Sequence, residues 1–201
     1  GLITYMRTDS LRISDEAMAA AKELIQSRYG SDYVPATPRR YKAKEGAQDA
    51  HEAIRPSNIQ LIPEEIRGDL SAEQYRLYRL IWSRFMASQM ANAVYDSISV
   101  EVDSAGHEFR CSSSHVKFSG YTAVYEESRD DEKEEKARPL PPLEQGDALT
   151  LERFDQEQHF TQPPARYTDA SLVRALEEKG IGRPSTYAPT ITTIIARGYV
   201  S

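Results

Sequence analysis

The hydrophobic period changes twice along this chain, and one layer of one kind of secondary structure cannot satisfy both periods. Between Ser14 and Gly30 apolar residues recur at helical spacing, as Met18, Ala21, Ile25 and Tyr29. Ser14 is placed to cap that helix, and Asp15 and Glu16 put carboxylates at its positive end. Gly30 is placed to stop it. A second helix is expected from Ser71, where Ser-Ala-Glu-Gln fits a reciprocal capping box, to about Met90. Its stripe of Tyr75, Tyr78, Ile81, Trp82, Phe85 and Met90 reads as core. From Ala93 the period falls to two, with Val94, Asp96, Ile98, Val100 and Val102 alternating against Tyr95, Ser97, Ser99 and Glu101. Further strands are expected at 107–111, 115–118, 120–126, 147–154 and 157–162. After Pro163-Pro164 the helical period returns: Thr168 caps a helix to Lys179, ended by Gly180. Ser185 or Thr186 is expected to cap another, with Pro189 in its first turn and Gly198 after it. Residues 31–47 read as an extended connector and 126–136 as a solvated, charge-dense loop. The expected class is α+β, in the order helical, strand-rich, helical, without internal repeats.

Charge is distributed unevenly. The net charge of −6 argues against a nucleic-acid binder when taken over the whole chain. Residues 1–60 nevertheless hold 9 Lys and Arg against 8 Asp and Glu, and residues 164–201 hold 5 against 3. The acidity belongs to residues 61–163, with 11 against 20. The outer thirds are faintly basic, well short of a dedicated DNA-binding domain. The single cysteine, Cys111, makes no internal disulfide and no zinc site alone, and is expected half-buried in a strand. The cytoplasm is the default compartment. No apolar run approaches the roughly 18 residues of a membrane helix, and no signal peptide is read at the start. A chain of 201 residues accommodates one or two domains.

Three places carry chemistry. In Gly1-Leu2-Ile3-Thr4-Tyr5-Met6-Arg7-Thr8-Asp9-Ser10, an extended backbone puts Tyr5 and Arg7 on one face, so both can address one phosphate. Tyrosine is a poor nucleophile at its free pKa of about 10 and needs activating neighbours. On type and spacing alone, a buried tyrosine after the apolar Leu2-Ile3 start carries more weight. His51, in Gln48-Asp49-Ala50-His51-Glu52-Ala53-Ile54-Arg55-Pro56-Ser57, is of the type that titrates near neutrality. Arg55 reads two ways, reaching a phosphate or pairing with Glu52. The turn Gly180-Ile181-Gly182-Arg183-Pro184-Ser185-Thr186-Tyr187 offers glycines, a helix N-terminus, a cation, hydroxyls and an aromatic face. It reads equally as a helix C-cap followed by an N-cap.

These segments, together with Pro163-Pro164-Ala165-Arg166-Tyr167-Thr168 before the last and Arg197-Gly198-Tyr199-Val200 after it, resemble in this order segments of the type IA DNA topoisomerases. The resemblance implies a transesterification in which Tyr5 attacks single-stranded DNA and forms a 5′-phosphotyrosine, without ATP. It implies Tyr5, Arg7 and His51 as catalytic residues. Thr8, Asp9, Arg55, Arg166, Arg183, Ser185, Thr186, Tyr187 and Arg197 follow as DNA-contact candidates, with Asp9 either orienting Arg7 or capping a turn. It divides the chain into a helical tyrosine domain (1–91), the second half of a β-rich arch (92–163) and the start of a helical DNA-gripping segment (164–201). The family's Mg²⁺ ligands belong to a Toprim domain; no Asp-x-Asp pair of that kind occurs here, so no metal site is expected in this chain. An internal fragment is therefore expected, starting at Gly1 without methionine and unable alone to relax negatively supercoiled DNA. Exposed sheet edges of a truncated arch would favour a homodimer. Met6 resembles topoisomerase I more than topoisomerase III. A topoisomerase III-like decatenase and a silent single-stranded-DNA-binding module are the alternatives, and the expected setting is the cytoplasm, at the nucleoid.

Overall fold

The computed structural model describes residues 1–6, 10–41, 51–126 and 140–200, which belong to two compact units, Gly1–Leu143 and Glu144–Ser201. In the first unit, α1 (Asp15–Tyr29) starts where Ser14 Oγ accepts the Ala17 N–H, and ends at Gly30. Helix α2 (Ala72–Gln89) opens with the expected capping box: Gln74 N–H donates to Ser71 Oγ at 3.2 Å and Ser71 N–H to Gln74 Oε1 at 3.0 Å. The core forms where Ala21, Leu24 and Ile25 of α1 meet Tyr78, Trp82, Phe85, Met86 and Met90, with Ile59 from the intervening loop. Leu24 and Met86 widen the stripes read from spacing, whereas Tyr75 and Ile81 stop half-buried.

Two aromatic side chains fasten the loop before α2. Trp82 Nε1 donates to the Ile59 carbonyl at 2.9 Å and the Tyr78 hydroxyl to the Leu61 carbonyl at 2.7 Å. Each ring gives its area to the core while its polar tip satisfies a backbone carbonyl. Burial pushes the Tyr78 phenol above its ordinary value.

Strands β1 (Val94–Ser104) and β2 (His107–Phe118) form one antiparallel hairpin, with Ser104 opposite His107. Ala105 and Gly106 both have positive φ, as a two-residue turn matched to strand twist requires. The separate strands expected at 107–111 and 115–118 are one, because Ser112, Ser113 and Ser114 pair in register despite breaking the apolar pattern. Residues 120–126 are not a strand. Tyr121 N–H turns back to the Ala91 carbonyl at 3.0 Å, and Gly120–Ala123 is a 3₁₀ turn. Segments 147–154 and 157–162 carry no regular secondary structure, and among the described residues neither pairs as a strand. Alternation supplies a face; a strand also needs an edge to bond. Cys111 is exposed rather than half-buried, since that hairpin face is uncovered.

The hairpin is rooted on the helical core. Ala91 N–H donates to the Tyr33 carbonyl at 2.8 Å, Tyr33 OH meets Ser119 Oγ at 2.9 Å, and the Tyr33 ring lies 4.7 Å from that of Phe118. Gly120 closes the joint at φ +50°, where an added Cβ would overlap the Asn92 carbonyl group and sit 2.6 Å from Ala91 O.

In the second unit, Thr168 and Ser171 cap α3 (Asp169–Glu178) reciprocally. Helix α4 (Pro184–Ala196) begins earlier than read from sequence: Arg183 is its N-cap and Pro184 its first residue. A proline there gives up an N–H that no helix would use. Pro189 accordingly lies inside the helix and not in its first turn.

Gly120→Ala is expected to destabilise the first unit by about 2 kcal/mol or more, from left-handed strain plus steric overlap. Chemical denaturation of the isolated chain measures this, and an unchanged midpoint would show that the root has slack.

Candidate active site

Ile3 and Pro56 face each other in an antiparallel bridge. Thr4 N–H donates to Arg55 O and Ser57 N–H to Leu2 O, both at 2.9 Å. Pro56 costs this pairing nothing, because in a non-hydrogen-bonded pair the N–H groups point away from the partner strand. Its ring is fully buried. One step on, a regular ladder would send Arg55 N–H to the Thr4 carbonyl. It goes instead to the Thr4 hydroxyl, at 3.0 Å, and that hydroxyl donates to Ala53 O at 2.8 Å.

Tyr5 leaves the ladder at this point with its side chain in solvent, 81% exposed. The plainer reading of a buried tyrosine is overturned: Leu2 and Ile3 pack against the core, and the strand ends before Tyr5 can follow. Arg7, Thr8 and Asp9 lie outside the described residues, so the Tyr5–Arg7 face-sharing is an expectation only. Beyond them, buried Ser10 donates through Oγ to the His51 carbonyl at 2.6 Å, and Ala53 N–H donates to Arg12 O at 2.8 Å. Residues on both sides of 7–9 are therefore tied to one segment, 51–57. Sequence reading identified the two segments as separate motifs and missed that Thr4 and Ser10 join them. The available signal was a hydroxyl residue at each end of the decapeptide's polar part.

Arg55 makes the pair that the second of its two readings describes. Its Nη2 lies 2.7 Å from Glu52 Oε2, its Nη1 donates to the Pro56 carbonyl at 2.9 Å, and the pair is largely buried. Glu52 Oε1 also accepts the Ser14 N–H at 2.8 Å, joining the segment to the start of α1. Burial raises the Glu52 carboxyl, but the Arg55 guanidinium and the Ser14 N–H and hydroxyl together outweigh it, so it sits below its ordinary value. His51 is half-buried beside this pair in sequence.

In the second unit, Arg183 N–H donates to Thr186 Oγ1 at 2.9 Å, and Thr186 Oγ1 donates to the Arg183 carbonyl at 3.0 Å. The Thr186 hydroxyl is thus engaged in starting α4. Gly182, at φ +79°, lies against it: a Cβ would come within 3.1 Å of Thr186 Oγ1 and 3.3 Å of the Tyr187 ring. Arg183 and Ser185 are exposed, as are Arg166, Tyr167 and Arg197 elsewhere in the unit. The turn is both a cap and a display of one cation and one hydroxyl. Among the described residues no group of three His, Cys, Asp or Glu side chains is placed to hold a metal ion. Also among them, no helix is long and apolar enough to cross a membrane.

Residues 1–201 match the family model described as DNA topoisomerase, and the chain belongs to this family, in its bacterial, type IA form. Among solved structures it is similar to full-length topoisomerase I from Thermotoga maritima, with 35% identity and a TM-score of 0.76. That likeness covers 100% of this chain and 31% of the Thermotoga chain, so this chain spans about a third of its relative's length.

Because Glu52 is held below its ordinary 4.5, its stabilising contribution is complete above that pH and is lost as pH falls through the lower folded value. Glu52→Gln is expected to lower the urea midpoint at neutral pH, and the gap to wild type is expected to narrow on acidification below pH 4.5. A gap independent of pH would remove the ion pair from this account.

Proposed function

We propose that Tyr5 is the nucleophile of a type IA topoisomerase reaction. The observation that supports this is a solvent-facing tyrosine at the end of a fixed two-strand pairing, in a chain that belongs to the family. Tyr5 Oη forms a bond to phosphorus and gives up its proton; the P–O3′ bond breaks, and O3′ takes up a proton as the leaving 3′-hydroxyl. One phosphoester replaces another, so the reverse step reseals the strand without ATP. Passage of DNA through the transient break relaxes negative supercoils. Arg7 stabilises charge developing on the phosphoryl oxygens, and His51 donates to a phosphate or to the leaving oxygen. Thr8 and Asp9 complete the segment. Arg183, Ser185 and Tyr187, with Arg166 and Arg197, hold single-stranded DNA through charge, a hydroxyl and stacking, and Thr186 supports them by closing the turn that presents them. Arg55 acts by pairing with Glu52 and keeping the 51–57 segment in place.

The division into a tyrosine domain, an arch segment and a DNA-gripping segment at 1–91, 92–163 and 164–201 is part of this proposal. Magnesium comes from a Toprim domain elsewhere in a longer cytoplasmic polypeptide, and the 201-residue chain alone does not relax plasmid. Met6, together with the likeness to a topoisomerase I, favours that enzyme over a decatenating relative.

In the full-length gene product, incubation with 3′-labelled single-stranded DNA and magnesium, stopped with detergent, is expected to give a labelled protein band. Tyr5→Phe is expected to abolish it while leaving binding within about threefold, since one hydroxyl at an exposed side chain contributes little to DNA affinity. A band that persists in Tyr5→Phe overturns the assignment; no band in wild type with intact binding demotes the chain to a binding module. Arg183→Gln is expected to weaken oligonucleotide binding and flatten its salt dependence by about 0.7 in the log–log slope, the value for one lost phosphate contact on a single strand. An unchanged slope would take Arg183 off the DNA.

A further inference from the structure

We propose that Thr4 is a positioning residue that sets the direction in which Tyr5 leaves the strand. The inference rests on the reading of Tyr5 as nucleophile. An exposed side chain with so little packed against it is aimed by its backbone, and the nearest fixed atoms before Tyr5 are those of Thr4. The Thr4 N–H is held by Arg55 O at 2.9 Å, as in any ladder. Its carbonyl is not used that way, because the Thr4 hydroxyl has taken the Arg55 N–H at 3.0 Å.

The polarity of that hydroxyl is determined by its two neighbours. Its one hydrogen goes to Ala53 O at 2.8 Å, which leaves lone pairs facing the Arg55 N–H. β-Branching restricts χ1, so the oxygen is coupled stiffly to the backbone that carries it. The pairing therefore stops at Thr4, and the peptide joining Thr4 to Tyr5 is released from the ladder. Without the hydroxyl, Arg55 N–H and Ala53 O would both lose a partner, a costly state in a half-buried site. The relief open to the chain is to return Arg55 N–H to the Thr4 carbonyl. That extends the ladder by one pair, rotates the next peptide and re-aims Tyr5. A hydroxyl one residue before the nucleophile thus acts on geometry, where small misplacements are expensive.

The test uses the full-length gene product and the single-turnover rate constant for cleavage of a 3′-labelled single-stranded oligonucleotide with magnesium. A rate constant, unlike an amplitude, does not depend on how much of each variant is folded. Thr4→Val keeps shape and branching; it is expected to slow cleavage by about tenfold or more, with oligonucleotide affinity unchanged. Thr4→Ser retains the hydroxyl and is expected to cleave within about threefold of wild type. Tyr33→Phe, which loses a hydrogen bond to Ser119 in the same unit, is expected to cleave at the wild-type rate. Wild-type cleavage by Thr4→Val, or cleavage by Thr4→Ser as slow as that of Thr4→Val, overturns the proposal. Tyr5→Phe run alongside separates the two claims: a covalent complex in that variant sinks the nucleophile reading itself, whatever Thr4 does.

Discussion

A buried indole must find an acceptor, and Trp82 finds the carbonyl of Ile59. Much of the first unit hangs on that requirement. Helices α1 and α2 make a small core to which Tyr78 and Trp82 contribute their rings. Their polar tips are satisfied by backbone of the preceding loop, which is thereby held to the helices without regular structure of its own. The loop in turn continues from the 51–57 segment, and that segment is what Leu2 to Thr4 pair with. Side-chain burial in a helix pair is converted step by step into a fixed backbone address for an exposed tyrosine. A site on a protein surface can be exact without being buried, provided the order is imported along the backbone.

The electrostatics follow a similar division of labour. Glu52 and Arg55 face each other where solvent is scarce, and the carboxylate also takes the backbone N–H at the cap of α1. A pair of this kind adds little net stability but penalises any arrangement that separates its members. It ties three things together: the start of a helix, the 51–57 segment and, through Pro56, the bridge to Ile3. An arginine committed in this manner organises the frame. On the proposed function, attraction for DNA comes mainly from other cations, in keeping with the faint positive balance of the outer thirds of the sequence.

Regular structure with strong local signals was legible from sequence. Ser14, the Ser71–Gln74 box, Thr168 and the change of period at Ala93 all mark elements that exist, because capping and alternation are decided by residues a few positions apart. Legibility failed where the deciding partner is distant or the signal has two owners. Residues 120–126 carry a strand-like composition, but the Ala91 carbonyl captures Tyr121, and a contact across thirty residues leaves no local trace. Residues 147–162 read as strands but gain no edge to bond among the described residues. At α4 Ser185 and Thr186 both looked able to begin the helix, but Arg183 caps it and Pro184 takes the first position. In the site, the two N-terminal segments were identifiable as chemistry, yet their joining by hydroxyl groups was not, since threonine and serine leave no pattern that specifies a carbonyl 49 or 41 residues away.

The hairpin has a mechanical consequence. Eleven paired positions at about 3.4 Å each make an arm of about 37 Å, anchored at only one end among the described residues. Over such an arm a tilt of about 10° at the base displaces the tip by about 6 Å, more than the spacing between neighbouring strands. Two strands alone have little bending stiffness of their own. How still the Ala105–Gly106 tip can be held is therefore decided mostly by leverage at Gly120, where the backbone meets Ala91 and Asn92 too closely to admit even a methyl group.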